Sequence, residues 1–309
     1  MEITTRLRER FCKDCNIPIN IFHEPYFTDR INLYNEFYGT VDKWNLFLEE
    51  IQKYKNEQDY FEEYNRVKDD AINFIKSTEA YQRFNEEDMN QFAIKNKGLP
   101  GKDIYHPDND GKTFISIDMR KANFSSLQFY DASIFDHAAT WEDFIGKFTD
   151  NKHIINSKYI RQVILGNCNP KRHITYEKYL MDIILDNLLE VVQLNRIVFF
   201  SNDEIVIDIS DMSIHDKCFI LKQVKGALSH IMIPLKIELF ILYKIAGING
   251  YYKKILLFNR TEIELKCVDS YMMPFVMRKL QGEEVTENDK VFYHEGLLAR
   301  YIEVPEIGL

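Results

Sequence analysis

Phe114-Ile115-Ser116-Ile117-Asp118-Met119-Arg120-Lys121-Ala122-Asn123-Phe124 is the stretch that decides the fold: an apolar strand that ends in an aspartate. A second segment, Ile197-Val198-Phe199-Phe200-Ser201-Asn202-Asp203-Glu204-Ile205-Val206-Ile207-Asp208, has two apolar runs around a polar tip and reads as a hairpin. Asp118 and Asp203 stand 85 residues apart in the chain. A carboxylate flanked by β-branched and aromatic residues is costly to bury unless it is paired or holds a metal. If the two segments lie side by side, their carboxylates meet, and such a pair can hold divalent cations for phosphoryl chemistry.

Working outward from these segments, Asn123 to Tyr130 reads as a helix, and Ala138 to Lys147 and Ser157 to Leu165 as two shorter ones. Gly166-Asn-Cys-Asn-Pro170 is a turn, and Thr175 to Leu194 is a long amphipathic helix burying Tyr179, Ile183, Ile184, Leu188, Val191 and Val192. Beyond the hairpin the pattern gives a helix over Ile214–Ser229, a strand over Leu235–Tyr243 and a second hairpin, Tyr251–Phe258 with Glu262–Val268. The order strand, helices, hairpin, helix, strand predicts an α+β domain, a mainly antiparallel sheet covered by helices. Upstream, apolar residues at helical spacing predict helices over Thr40–Tyr54, Asp59–Lys76 and Glu86–Lys95. Gly98-Leu-Pro-Gly101 and the turn-rich His106–Gly111 interrupt the chain. The expected division is a helical N-terminal region, 1–100, and an α+β domain with a C-terminal extension, 101–309.

Of the 309 residues, 45% are hydrophobic and 28% charged, the balance of an ordinary globular protein. No apolar run is long enough to span a bilayer and no apolar segment follows the first residues, so the expectation is a cytoplasmic protein with no membrane partner. Five scattered cysteines fit reduced thiols. Cys12-Lys-Asp-Cys15 with His23 is half of a zinc pattern, and no second cysteine pair lies nearby to complete it. The net charge of -9 speaks against a broadly basic surface, so any nucleic-acid contact needs a local basic groove.

The two aspartate segments, in this order and spacing, resemble the palm of reverse transcriptases and related polymerases. Asp118-Met-Arg-Lys-Ala-Asn123-Phe looks like the family's motif A, with Asn123 at the place that senses the sugar. Ser201-Asn-Asp203-Glu204 is similar to the acidic hairpin tip of motif C, and the turn Leu165–Pro170 with the helix after it stands where motif B falls. The wording around both aspartates is also similar to motifs A and C of family A DNA polymerases, although the spacing here is much shorter. The tRNA-histidine guanylyltransferase palm, with its Ser-Asp-Glu hairpin, is a third cousin. The likeness covers roughly residues 113–245. The chain departs from it in carrying Asn-Asp-Glu for Tyr-x-Asp-Asp or Gly-Asp-Asp, and in lacking a Gln-Gly or Ser-Gly pair in motif B.

The resemblance implies a palm-like domain and metal-dependent nucleotidyl transfer from a nucleoside triphosphate to a nucleic-acid 3′ end. Asp118 and Asp203 would bind Mg²⁺ or Mn²⁺ and Glu204 would assist. Arg120, Lys121, Lys158, Arg161 and Arg172 are the cations available for a triphosphate, with Asn123 and Asn202 as polar contacts beside it. The same residues also fit ordinary strand-end and hairpin carboxylates. The alternative function is then a non-catalytic nucleic-acid- or protein-binding assembly protein, in a viral setting and the host cytoplasm. Template dependence and oligomeric state are written in none of these motifs.

Overall fold

The computed structural model describes all 309 residues, with thirteen α-helices and one six-stranded antiparallel sheet. Six of the helices lie before residue 87. The longest of these, Glu57–Ser77, starts where the Asn56 side chain accepts from the Asp59 amide, and it buries Tyr60, Tyr64, Val67, Ala71 and Ile75 along one stripe. The helix expected over Glu86–Lys95 is not formed: an α-helix ends at Glu86 and only a 3₁₀ turn follows. Thr78 caps a helix over Glu79–Glu86, and Asp88 caps a separate 3₁₀ turn over Met89–Phe92. Two cap residues so close together stop one helix and start the next, which the apolar spacing alone does not reveal.

The sheet holds β1 (Thr113–Met119), β2 (Ile197–Phe200), β3 (Glu204–Asp208), β4 (Leu235–Ile245), β5 (Gly250–Leu256) and β6 (Thr261–Lys266). Their spatial order is β2-β3-β1-β4-β5-β6, with every neighbouring pair antiparallel. The first four strands, with helices between β1 and β2 and between β3 and β4, form a β-α-β-β-α-β unit. The second hairpin, β5–β6, extends that unit along the β4 edge.

Alternation along β1 separates two cores. Ile115, Ile117 and Met119 enter a cluster of 55 buried residues beneath the helices. Phe114 points to the other face, into a cluster of seven with Val206, Phe240 and Tyr251. Ile104 and Tyr105, from the turn-rich segment before β1, cover that second face. Ser116 and Asp118 alternate in step with Phe114, so they share its face.

The larger cluster contains residues from Leu7 to Phe84 and from Ile115 to Val291, and so runs across the expected boundary near residue 100. A polar network ties the same parts together. The fully buried Asp14 carboxylate accepts from Tyr64 Oη at 2.7 Å and Ser157 Oγ at 2.8 Å, and lies 3.0 Å from His153 Nε2. Ser157 also caps the helix Lys158–Gly166, so the first helix of the chain fixes the start of a helix that lines the site described next.

Candidate functional site

Strand pairing places the two aspartate segments side by side. Asp118 is the residue opposite Glu204 in the β1–β3 ladder, and the Met119 amide donates to the Asp203 carbonyl at 2.8 Å. Antiparallel pairing at the end of β1 therefore delivers the tip of the β2–β3 hairpin to Asp118. The Ser201 hydroxyl shapes this tip, donating to Asp203 Oδ1 at 2.8 Å while accepting from the Glu204 amide at 2.8 Å.

Asp118 and Asp203 line one open cleft of about 530 Å³. Lys121, Asn123, Lys158 and Arg161 line it as well, so six residues expected from the sequence come together here. Asn123 arrives on the first turn of the helix Ala122–Tyr130, while Lys158 and Arg161 come from the helix Lys158–Gly166. Lys121 holds the left-handed backbone conformation before the Ala122 helix, and its ammonium donates to Glu142 Oε1 at 2.6 Å. Lys158 and Arg161 have no such carboxylate partner, and the buried Arg161 Nε has no hydrogen-bond acceptor. Burial lowers the pKa of both, and their charges are the ones free for an anion.

Four expected residues lie outside the cleft lining. Arg120 is exposed beyond the end of β1. Arg172 donates through Nε and Nη2 to the Phe84 carbonyl, at 3.1 and 2.8 Å, and through Nη2 to the Glu87 carbonyl at 2.5 Å. It holds the N-terminal helical region and does not reach toward Asp118, because its first-turn position faces the Glu79–Glu86 helix. Asn202 donates to Glu177 Oε2 at 2.8 Å. Glu204 faces the covered side of the sheet, where Oε1 accepts from Ser116 Oγ at 2.5 Å and lies 3.7 Å from the buried Lys253 ammonium.

The electrostatics single out Asp118. No protein hydrogen bond or ion pair reaches its carboxylate, since Lys236, opposite it in the β1–β4 ladder, pairs with Glu238 at 2.8 Å. Burial, then repulsion from Glu204 and Asp203, pushes its pKa up to about 6. A carboxylate raised by two others and paired with no cation is suited to a bound metal ion. No three His, Cys, Asp or Glu side chains form a metal cage by themselves. Mg²⁺ is often held by one or two carboxylates together with substrate phosphates, so the pair Asp118 and Asp203 fits that ion better than one needing a full protein cage.

Three polar lining residues carry no role in the sequence reading: Gln162, and His173 and Glu177, one turn apart on the helix Pro170–Leu188. That helix begins five residues before the expected Thr175, with Pro170 at its first position, and so carries both side chains to the cleft. Glu177 is buried, and burial with the nearby Asp203 raises its pKa to about 7, against the opposing effect of the Asn202 hydrogen bond. Burial alone lowers His173 to about 4, which leaves its ring neutral at physiological pH. The available signal was a glutamate inside the buried stripe Tyr176, Leu180, Met181 and Ile184. One carboxylate from a strand, one from a hairpin turn and one from a helix thus line a cleft whose free charges are Lys158 and Arg161. Compared with protein-family models, characterised proteins and solved structures, the chain matches none, and no family is assigned to it.

Proposed function

We propose that the protein transfers a nucleotide from a nucleoside triphosphate to a nucleic-acid 3′-hydroxyl, with Mg²⁺ or Mn²⁺ held by Asp118 and Asp203. One observation carries the reading: Asp118, with no cation of its own, shares a cleft with Asp203, Lys158 and Arg161. The β-α-β-β-α-β topology and the likeness of the two segments to polymerase motifs A and C support it.

In this reading Lys158 and Arg161 hold the triphosphate, and Asn123, on the first turn of the helix after β1, contacts the sugar. The acceptor oxygen bonds to the α-phosphorus, the α–β phosphoanhydride bond breaks, pyrophosphate leaves, and the hydroxyl proton passes to solvent. The cation, when bound, polarises the phosphates and offsets the developing charge. Asp118 and Asp203 serve to place it, and Glu204, held by Ser116 and Lys253, fixes the charge behind Asp118.

The competing reading, a binding or assembly protein, draws on the engagement of Lys121 and Arg172 by protein groups and on the net charge of -9. Thermal melting with Mn²⁺ and nucleoside triphosphates, together with incorporation of labelled nucleotide into a primer, separates the two. Nucleotide transfer requires a metal-dependent rise in melting temperature for the wild type, lost with Asp203→Asn, and label in the product. No shift in either protein and no incorporation with any ribo- or deoxyribonucleotide would leave the binding reading standing.

A further inference from the structure

A second cavity, of about 510 Å³, lies between the N-terminal helix, the helix Lys158–Gly166 and β6. Gln162 lines both this cavity and the cleft of Asp118, so the two are neighbours across one side chain. Lys158 stands at the same junction, where the charges of Asp118, Glu264 and Lys266 all act on its ammonium. Both volumes fall within the about 300–1,000 Å³ of small-molecule sites.

The walls of the second cavity have a definite chemistry. Tyr38 and Tyr159 offer aromatic rings, Ile17, Leu265 and Val268 an apolar floor, and Gln162 an amide that both donates and accepts. Arg10 braces the Tyr159 ring, its guanidinium carbon 4.9 Å from the centroid. The charges here are paired, Lys266 with Glu264 at 2.7 Å and Lys13 with Glu9 at 2.6 Å. Such walls suit a nucleobase, which stacks on aromatic side chains and bonds along its edge, and suit a long phosphate backbone poorly.

We infer that this cavity seats the 3′-terminal nucleotide of a single-stranded acceptor, its base against Tyr38 and Tyr159 and its sugar directed past Gln162 toward Asp118. The position follows from the shared wall, and the occupant from the aromatic and amide lining. As an acceptor site it rests on the nucleotidyl-transfer reading. As a base-binding site it stands on the cavity alone.

The test uses the full chain in EDTA without nucleotide, and short single strands carrying 2-aminopurine at the 3′ end or several positions upstream. The expected result is binding with quenching of the 3′-terminal probe only. Tyr159→Ala and Tyr38→Ala, each confirmed folded by its melting curve, should each weaken binding about tenfold or more. Equal quenching wherever the probe sits, no binding, or unchanged affinity in both tyrosine variants would overturn the inference. If the strand binds as described but no nucleotide is transferred, the base site holds and the transfer reading fails. If nucleotide is transferred while both tyrosine variants bind normally, the transfer reading holds and this site does not.

Discussion

Replacing Asp118 with asparagine should stabilise the ion-free protein at neutral and alkaline pH while removing the carboxylate on which the proposed nucleotide transfer rests. Folding moves the Asp118 carboxyl from its ordinary 3.8 to about 6, through burial first and then repulsion by Glu204 and Asp203. The native state therefore binds more protons than the unfolded chain between these values, and stability falls as pH rises through that window. Below it the carboxyl is neutral in both states and the penalty vanishes. Above it the penalty is complete. A shift of this size corresponds to about 3 kcal/mol at about 1.4 kcal/mol per unit, and the partial solvation of the carboxyl screens this to about 1–2 kcal/mol. The asparagine side chain retains the shape and drops the charge. Urea unfolding of both proteins in EDTA, near pH 4 and near pH 8, should show a gain of about 1–2 kcal/mol at the higher pH and little at the lower. An equal difference at both pH values, or a loss at pH 8, would refute the electrostatic account of the site.

Glu177→Gln should behave alike, because Glu177 is raised to about 7 by burial and by Asp203. Thermal melting should show the variant more stable than wild type near pH 9 and nearly equal to it near pH 4.5. Lys158→Ala and Arg161→Ala should each weaken triphosphate binding about tenfold or more, as expected for losing a charge-assisted contact, when read by calorimetry at low salt. Arg172→Ala should leave that affinity unchanged and lower stability by about 1–3 kcal/mol, because its guanidinium serves the Phe84 and Glu87 carbonyls. Asp289→Ala should cost about 3–5 kcal/mol in denaturant unfolding. It strands the buried Arg30 guanidinium, which Asp289 meets at 2.9 Å.

The sequence by itself determined the six strands of the main sheet and their order along the chain, and left the short C-terminal hairpin Val291–His294 with Leu297–Arg300 unread. β1, the β2–β3 hairpin and β4 carry dense β-branched and aromatic runs, and the polar tip Ser201–Asp203 can only be a turn between two such runs. It also determined that Asp118 and Asp203 sit at strand ends, since each interrupts or follows an apolar run. Side-chain alternation, a local property, then put Asp118 and Ile117 on opposite faces. What the alternation does not contain is the identity of the partner across the sheet. Only the tertiary structure set Glu204 beside Ser116 and Lys253 and turned Arg172 toward Phe84 and Glu87. It alone brought Glu177 and His173 to the cleft, because these contacts depend on how a helix is rotated against a sheet and where its cap starts it. A charged side chain in a sequence reads the same whether it meets a substrate or a backbone carbonyl. Long-range packing decides between them, and in this protein it left Lys158 and Arg161 free and engaged Lys121 and Arg172.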